Sequence, residues 1–211
     1  MSVSIPKVYP ILDASTIPRV GRAEFLIRLG KSLADSGVTL LEYRNKIGTD
    51  DELIADAQIL RRYLRAAKLI LDDRADLVKQ VGFDGVHVDS GDETPAGARR
   101  MMGPGRIVGT FGGSEVLVED ILLAPADYLS IGPVYPTGTK RTIKAPIGVE
   151  GVRGLRAEAG EGPILVAVGG ITFNTATAVL AAGAHSVAVS AALFQHPDPA
   201  AEFRRWMAEI G

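Results

Sequence analysis

The chain of 211 residues contains no cysteine. Disulfide bonds and thiolate chemistry are therefore excluded, and the composition is compatible with a reducing compartment. Only three histidines are present, and they do not cluster, so neither a zinc centre nor a nucleophilic triad is predicted. A formal net charge of -2 lacks the basic surplus that nucleic-acid-binding proteins usually carry.

Long apolar segments are also missing. No run approaches the roughly 20 residues that a membrane helix needs, and Met1 to Pro6 lack the apolar centre of a signal peptide. We therefore expect a soluble, cytoplasmic protein that binds neither membrane nor nucleic acid. Hydrophobic residues make up 46% of the chain, enough for a sizeable core. No linker or low-complexity segment divides the sequence, so one domain is predicted over residues 1–211.

Short apolar runs alternate with helical patterns along the whole chain. The runs are continuous rather than alternating, which is typical of parallel strands covered on both faces. Eight such units recur at a spacing of about 25 residues, which predicts an α/β fold, a single (β/α)8 TIM barrel with eight parallel strands. A doubly wound open sheet is the alternative, but the chain has no GxGxxG fingerprint. The predicted elements include strands at 38–41 and 106–110 and a helix at 115–123.

One loop has the composition of an anion-binding segment. Residues 132–140 read Gly-Pro-Val-Tyr-Pro-Thr-Gly-Thr-Lys and follow a predicted strand at 128–131. The prolines prevent a helix from starting, and the glycines let the backbone approach a ligand. Two hydroxyl groups and one ammonium group suit a phosphate or a carboxylate. The same residue types also form ordinary turns, so the loop alone leaves both interpretations open.

Polar residues collect after the predicted strands. In a TIM barrel these positions share one end, and active sites lie there. Ligand-type side chains or glycines follow strands two, three, four, six, seven and eight. They are Glu42, Arg44, Lys46, Asp72, Asp73, Asp89, Asp92, Thr137, Thr139, Lys140, Gly169, Gly170 and Ser190.

These groups suggest a metal and two anion sites. Asp73 and Asp92 follow adjacent strands and could share Mg²⁺, which prefers one or two carboxylates plus phosphate oxygens. An ion pair between Asp73 and Arg74, or a helix cap at Asp92, is the structural alternative. Cations at positions 44, 46 and 140 could neutralise a diphosphate, and Gly169-Gly170 with the strand-eight loop suits a phosphate monoester. His87, inside a strand, is predicted to be a buried supporting residue.

Five segments, in order, resemble the thiamine phosphate synthase family over essentially the whole chain. They are residues 42–46 (EYRNK), 71–77 (LDDRADL), 84–88 (DGVHV), 126–140 with its GPxxPTxTK loop, and 167–171 (AVGGI). Members of that family join an aminopyrimidine methyl diphosphate to a thiazole phosphate and release diphosphate. The resemblance therefore implies a Mg²⁺-dependent transferase of thiamine biosynthesis with small-molecule substrates.

The resemblance also implies roles for individual residues. Pyrimidine diphosphate binding is expected of Glu42, Tyr43, Arg44, Asn45, Lys46, Asp72 and Lys140. Thiazole phosphate binding is expected of Thr137, Gly138, Thr139, Gly169, Val189 and Ser190. Asp73 and Asp92 are the expected metal ligands. Arg44, Lys46 and Lys140 are the expected catalytic residues, because in the family the diphosphate leaves first and its charge must be stabilised.

Three positions depart from the family pattern. The family usually has Gln at position 42, Asn at position 72, and Gly-x-Ser-x-His at 109–113, where this chain reads Gly-Thr-Phe-Gly-Gly. We expect the N–H groups of Gly112 and Gly113, or Ser114, to replace the missing serine. Glu42 is expected to accept a hydrogen bond from the pyrimidine amino group or from a protonated ring nitrogen, so Glu42→Gln should retain activity with a shifted pH profile.

Two other functions stay open from the sequence. One is a thiazole tautomerase-like paralogue, and the other is a non-catalytic barrel that binds a phosphorylated ligand. The sequence also leaves open whether the chain forms a homo-oligomer, whether a plain or carboxylated thiazole phosphate is preferred, and whether Mn²⁺ replaces Mg²⁺.

Overall fold

The fold is a closed barrel of parallel strands. The computed structural model describes residues 4–89, 91, 93–114, 117, 122–138 and 144–211. The strands pair in chain order, all in parallel, and the eighth pairs with the first. They are β1 Val8–Asp13, β2 Leu40–Arg44, β3 Lys68–Asp72, β4 Gly85–Val88, β5 Ile107–Gly113, β6 Tyr128–Ile131, β7 Leu165–Val168 and β8 Ser186–Val189. The predicted TIM barrel is confirmed.

Helices surround the barrel and begin at residues suited to capping. Thr49 and Thr94 accept hydrogen bonds from the first turns of two helices, and Asp198 does so for the last helix. The described helices are α1 Arg22–Asp35, α2 Asp50–Tyr63, α3 Val78–Val81, α4 Pro95–Met102, α5 Gly148–Ala159, α6 Phe173–Ala181, α7 Ala191–Phe194 and α8 Pro199–Ile210. None of the helices in the described part of the chain is both long and apolar enough to cross a membrane.

Strand alternation divides the core into two layers. Side chains on the outer face of the strands pack under the helices in one large cluster. A smaller cluster fills the barrel interior and includes Tyr9, Ile70 and Tyr128. Because successive side chains point to opposite faces, the next inward positions toward the carboxyl ends of the strands are Glu42 and Asp72 on β2 and β3, with comparable polar residues on β4 and β6. The interior is therefore apolar at one end and polar at the other.

Three segments differ from the sequence prediction. Strand β2 starts two residues later than predicted and extends through Arg44, and β5 continues to Gly113. The extension of β5 arises because its pairing with β6 continues, with a register shift between Phe111 and Gly113. In the predicted helix 115–123, Leu117 instead forms an isolated antiparallel bridge with Gly113, and residues 122 and 123 are in a turn. The rest of that segment lies outside the described residues.

Three similar hydrogen-bonded clasps close the amino-terminal end of the barrel. In the first, Asp84 accepts from the backbone N–H of Leu69 at 2.9 Å and from Arg61 at 2.8 Å. In each clasp the arginine lies in a helix and the accepting residue directly precedes a strand. The backbone N–H that donates lies at the start of the strand before that one. The other clasps are formed by Asp127 with Val108 and Arg99, and by His185 with Leu165 and Arg156.

Candidate active site

A cavity of about 360 Å³ opens at the carboxyl ends of the strands, and all eight strands contribute to its lining. The cavity is partly apolar, with a small set of charged and polar groups, which is typical of small-molecule sites. Its lining includes the predicted residues Glu42, Arg44, Asp72, Thr137, Gly169, Val189 and Ser190. Asp92, Thr139 and Lys140 lie outside the described residues.

On one side of the cavity mouth, positively and negatively charged side chains alternate. Arg44 forms an ion pair with Asp13, and its Nε lies 3.5 Å from Asp72 Oδ2. Lys46 Nζ lies 3.4 Å from the same Asp72 oxygen and also pairs with Asp73. Asp13 was not predicted as a site residue, although it directly follows an apolar run, as the predicted site residues do. The two carboxylates on either side of Arg44 hold its side chain in place beside the cavity.

An unusual backbone conformation brings two consecutive carboxylates to the mouth. Neighbouring residues of an extended strand point to opposite faces. Asp73 has a φ of 63°, in the left-handed region, which interrupts that alternation directly after Asp72. Its N–H donates to the carbonyl of His87 at 2.8 Å, which ties the turn to β4. Arg74 pairs with Asp50 rather than with Asp73.

The carboxylates near this turn fit a hard cation. Ligand oxygens of Asp72, Asp73 and Asp89 all lie within 4.8 Å of one another. Oδ2 of Asp72 and Oδ1 of Asp73 are buried and have no hydrogen-bond partner in the described part of the chain. Burial raises the pKa of Asp72, while Lys46, His87 and Arg44 act in the opposite direction. Such an all-oxygen set is of the kind that Mg²⁺ prefers.

A hydrogen-bonded network forms the floor of the cavity. Tyr9 donates its hydroxyl to Glu42 Oε2 at 2.8 Å and shares a second hydrogen bond of 2.8 Å with the Tyr128 hydroxyl. The Tyr128 hydroxyl in turn lies 3.1 Å from His87 Nδ1. Burial, followed by the nearby charge of Asp72, raises the pKa of Glu42 to about 8. At neutral pH Glu42 is therefore mostly a neutral carboxylic acid.

His87 is not the centre of a nucleophilic triad. Ser130 Oγ lies 3.4 Å from His87 Nε2, and Asp89 Oδ1 lies 4.0 Å from the same nitrogen. A triad needs the carboxylate and the hydroxyl on opposite ring nitrogens. Here the other nitrogen faces Tyr128, whose ring stacks on the imidazole with a centroid distance of 5.5 Å. His87 is buried and supports the cavity floor, in line with the sequence prediction.

The opposite side of the mouth is built from two loops that pack together. Gly169 and Gly170 have φ values of 99° and 63°, and a Cβ on Gly169 would lie 2.7 Å from Cβ of Pro133. Only glycine suits this conformation and this spacing. The Tyr135 N–H donates to the Gly169 carbonyl at 2.9 Å, which joins the loop after β6 to the loop after β7. Beside them, the buried Ser190 hydroxyl has no hydrogen-bond partner among the described residues.

The loop after β5 differs from its prediction. Gly112 and Gly113 belong to the strand, and neither they nor Ser114 lie among the residues that line the cavity. Phe111 lines it instead, and Lys144 Nζ lies 3.6 Å from the centroid of its ring, in cation–π contact. The sequence did not single out Lys144. A cation packed on an aromatic ring thus occupies the side where the family usually has a serine.

Among the described residues, four of the predicted binding residues do not line the cavity: Tyr43, Asn45, Lys46 and Gly138. Tyr43 is buried between the sheet and the helices, where its hydroxyl donates to Asp56. Strand alternation explains this position, because Glu42 and Arg44 face the interior and the residue between them must face outward. Asn45 donates to the Tyr43 hydroxyl and accepts from the backbone of the following turn, so its side chain organises the β2–α2 loop.

Comparison with known proteins agrees with the geometry of this mouth. The family model described as thiamine monophosphate synthase matches residues 8–193. The chain belongs to this family of transferases. A thiamine-phosphate synthase of Koribacter versatilis is 39% identical over 203 residues, which cover 95% of both chains. One from Methanospirillum hungatei is 37% identical over 185 residues, covering 85% of this chain and 87% of that relative. The resemblance inferred from the motifs is confirmed.

Solved structures of other proteins superpose on this barrel. Thiamine phosphate pyrophosphorylase from Pyrococcus furiosus superposes with a TM-score of 0.78 at 27% identity, covering 97% of each chain. A 3-hexulose-6-phosphate synthase covers 97% of this chain and is itself fully covered, at 18% identity and a TM-score of 0.67. At that level of identity the likeness supports the fold alone, since barrels host many chemistries.

Proposed function

We propose that the protein is a thiamine phosphate synthase. It transfers the pyrimidinylmethyl group of 4-amino-2-methyl-5-hydroxymethylpyrimidine diphosphate to the ring nitrogen of 4-methyl-5-(2-phosphoethyl)thiazole or its carboxylated form. Family membership supports this proposal. The structural observation that carries it is a single cavity with charged residues on one side and a glycine-rich, hydroxyl-bearing loop pair on the other.

The charged side suits the diphosphate. Arg44 and Lys46 supply positive charge there, and Lys140 is the proposed third cation. Because Asp13 and Asp72 hold the Arg44 side chain in place, the guanidinium is oriented before the substrate arrives. Positive groups fixed where leaving-group charge develops stabilise the transition state more than mobile ones do.

Mg²⁺ is the proposed cofactor. Asp73 and Asp92 are the proposed ligands, and the unpartnered oxygen of Asp73 is compatible with that role. When bound, the ion adds positive charge against the departing diphosphate. Lys46, now close to Asp72 and Asp73, lies near enough to contribute to the same neutralisation.

The floor of the cavity suits the aminopyrimidine ring. A pyrimidine edge offers a ring nitrogen that accepts a hydrogen bond and an amino group that donates one. Neutral Glu42 offers the matching pair, an O–H donor and a carbonyl acceptor, as the amide of glutamine does. The raised pKa of Glu42 therefore lets this chain use glutamate where the family usually has glutamine. Tyr9 keeps the carboxyl group oriented through its hydrogen bond.

The opposite side suits the thiazole phosphate. Ser190 offers an unpartnered hydroxyl, and Gly169 lets the backbone approach a ligand without a side chain in between. Thr137 lines the same part of the cavity, and Gly138, Thr139 and Val189 complete the proposed set. A phosphate held here aligns the thiazole ring nitrogen with the exocyclic methylene carbon of the pyrimidine, the carbon that diphosphate leaves.

The proposed chemistry asks little of protein nucleophiles. In a dissociative substitution the C–O bond to diphosphate breaks first, leaving a pyrimidine-stabilised cation, and the thiazole nitrogen then donates the electron pair of the new C–N bond. The residues of the mouth stabilise the charge of the leaving diphosphate and hold the two substrates in line. These two effects can lower the activation free energy of such a reaction substantially.

Product formation tests the proposal. Purified protein is incubated with both substrates and Mg²⁺, and thiamine phosphate and diphosphate are quantified against reactions that omit either substrate. Equal amounts of the two products are expected only in the complete mixture. Isomerisation of the thiazole without condensation would indicate the tautomerase function, and substrate binding without any reaction would indicate a non-catalytic barrel. Either outcome would contradict the proposal.

A further inference from the structure

Lys144 and Phe111 form a cation–π pair in the wall of the cavity. Lys144 Nζ lies 3.6 Å from the centroid of the Phe111 ring, and both side chains line the cavity. Phe111 lies on the interior face of β5, two residues beyond Gly109, where an added Cβ would collide with the Tyr128 ring. The contribution of β5 to the polar end of the barrel is therefore an aromatic ring in contact with an ammonium group.

Backbone hydrogen bonds fix the point at which the segment carrying Lys144 returns to the barrel. The N–H groups of Ile147 and Gly148 donate to the carbonyl groups of Pro133 and Val134, both at 2.9 Å. The segment that follows β6 is thus tied to its own start, and Lys144 lies three residues before the tie. An exposed lysine samples many rotamers, and contact with the Phe111 ring favours those that keep its ammonium group in the cavity wall.

The charged side of the mouth needs more positive charge than Arg44 and Lys46 supply. Among the described residues, the carboxyl groups beside or near these two cations outnumber them; they are Asp13, Asp72, Asp73 and Asp89. A diphosphate brings several further negative charges, and like charges repel more strongly in a partly apolar cavity than in water. The proposed Mg²⁺ and Lys140 offset part of this sum, which leaves a role for a further cation.

Lys144 is placed to be that cation. The Phe111 ring that holds it lies on β5, which pairs with β4, and Asp89 of the charged side directly follows β4. Within the described part of the chain, Arg44 and Lys144 are the arginine and lysine side chains that line the cavity. A diphosphate bound beside Arg44 therefore has Lys144 in the adjoining part of the same cavity wall.

We propose that Lys144 binds the diphosphate of the pyrimidine substrate and that Phe111 is the residue that positions it. The inference rests on the proposed function and adds two residues to the diphosphate site. The Lys144 ammonium group contacts a phosphate oxygen and stabilises the negative charge that develops on the diphosphate as the C–O bond breaks. The Phe111 ring holds the ammonium group by its quadrupole and leaves the full positive charge available to the substrate.

Titration calorimetry with inorganic diphosphate at a fixed Mg²⁺ concentration tests the site without the reaction. Lys144→Met keeps the apolar stem and should weaken diphosphate binding about tenfold or more, the value of one charge-assisted contact. Lys144→Arg keeps the charge and should restore the affinity to within about threefold of the wild type. Phe111→Leu should weaken binding several-fold, because the lysine is present but no longer held by the ring.

Lys31→Met is the matched control. Lys31 Nζ also lies over an aromatic ring, 5.4 Å from the centroid of Tyr63, but neither residue lines the cavity. The affinity of Lys31→Met for inorganic diphosphate should equal that of the wild type. Thermal unfolding of each variant controls for loss of folding.

Kinetics identify the substrate that Lys144 contacts. In Lys144→Met, kcat/KM for the pyrimidine diphosphate should fall about tenfold or more, and KM should not change for either the plain or the carboxylated thiazole phosphate. A rise in KM confined to one or both thiazole substrates would assign Lys144 to the other anion and overturn the inference.

Equal affinity of Lys144→Met and Lys31→Met for inorganic diphosphate would also overturn it. Failure of this inference is distinguishable from failure of the proposed function. Weakened diphosphate binding in Lys144→Met, with no thiamine phosphate formed by the wild type, would contradict only the function. Condensation by the wild type, with unaltered diphosphate affinity in Lys144→Met, would contradict only the role of Lys144.

Discussion

At the scale of single residues, burial changes what a side chain can do. Glu42 is 4% exposed and lies near Asp72, so its proton is retained to a pH of about 8. The same residue in water would be ionised above pH 5. Its chemistry in this protein therefore depends on its inward position in β2, and a sequence motif alone would assign it a negative charge.

Glu42→Gln should make the protein more resistant to alkaline pH. The unfolded chain loses the Glu42 proton near its ordinary pKa, whereas the folded chain keeps it until about pH 8. Wild-type stability from this group is therefore complete below the unfolded pKa and is lost as pH rises through the folded pKa. Between pH 6 and pH 9 the free energy of unfolding of Glu42→Gln should gain about 3 kcal/mol on the wild type, since the loss extends over about two pH units, from pH 6 to the folded pKa, at about 1.4 kcal/mol per unit.

Urea unfolding at both pH values measures this difference. Condensation activity of Glu42→Gln should persist, with less loss above pH 8 than in the wild type. A constant stability difference between pH 6 and pH 9 would show that Glu42 is not protonated in the folded protein.

Gly109 makes room for the cavity floor. A Cβ at this position would collide with the Tyr128 ring on the neighbouring strand. Gly109→Ala should therefore displace Tyr128, break its contacts with Tyr9 and His87, and lower kcat/KM for the pyrimidine diphosphate at least tenfold. A loss of about 1 to 3 kcal/mol in stability is expected from overpacking.

The control for this prediction is Gly154→Ala. Gly154 lies in helix α5, where an added Cβ meets open space, so activity should not change. If both variants fold and have equal kcat/KM, the hydrogen bonds of Tyr128 do not contribute to binding of the pyrimidine diphosphate, and the prediction is wrong.

At the scale of elements, the two ends of each strand have different tasks. The amino-terminal ends are held by the Arg–acceptor clasps, and the carboxyl ends carry the polar side chains.

The third clasp departs from the other two because His185 stands where they have aspartate. Burial and the adjacent Arg156 lower the pKa of His185. Wild-type stability should therefore fall as pH decreases below 6.5, because the unfolded histidine binds a proton that the folded one resists.

His185→Asp should stabilise the protein. An aspartate would pair with Arg156 as Asp84 pairs with Arg61, and the acidic loss of stability due to the histidine would disappear. The gain at pH 7 should be about 0.5 kcal/mol, since the pair is partly exposed, and larger at pH 5.5. Urea unfolding of the variant alone and in an Arg156→Ala background measures the pair. A gain that persists without Arg156 would contradict this explanation.

Strand periodicity accounts for much of what the sequence could predict. Apolar runs of four to six residues located all eight strands, and the residues after them located the mouth. The same periodicity, applied residue by residue, would have placed Tyr43 outside the barrel. It could not have placed Asp73 beside Asp72, because that arrangement depends on a left-handed backbone at one position. Nor could it find the Tyr9–Tyr128 contact, since this pair joins strands far apart in sequence.

At the scale of the whole molecule, barrel closure brings the two sides of the site together. Strand β8 pairs with β1, so Ser190 and Gly169 lie across one opening from Arg44 and Asp72. An open sheet with the same strands would leave these groups on a line rather than around a cavity. The central claim is that this mouth holds two anions, each on its own side.

Steady-state kinetics of one variant on each side test that claim most directly. Ser190→Ala should raise KM for the thiazole phosphate about tenfold, the value of one lost hydrogen bond to a charged group, and leave KM for the pyrimidine diphosphate unchanged. Arg44→Gln should lower kcat/KM for the pyrimidine diphosphate and leave KM for the thiazole phosphate unchanged. Both variants acting on the same substrate, or a wild type that forms no thiamine phosphate, would contradict the account.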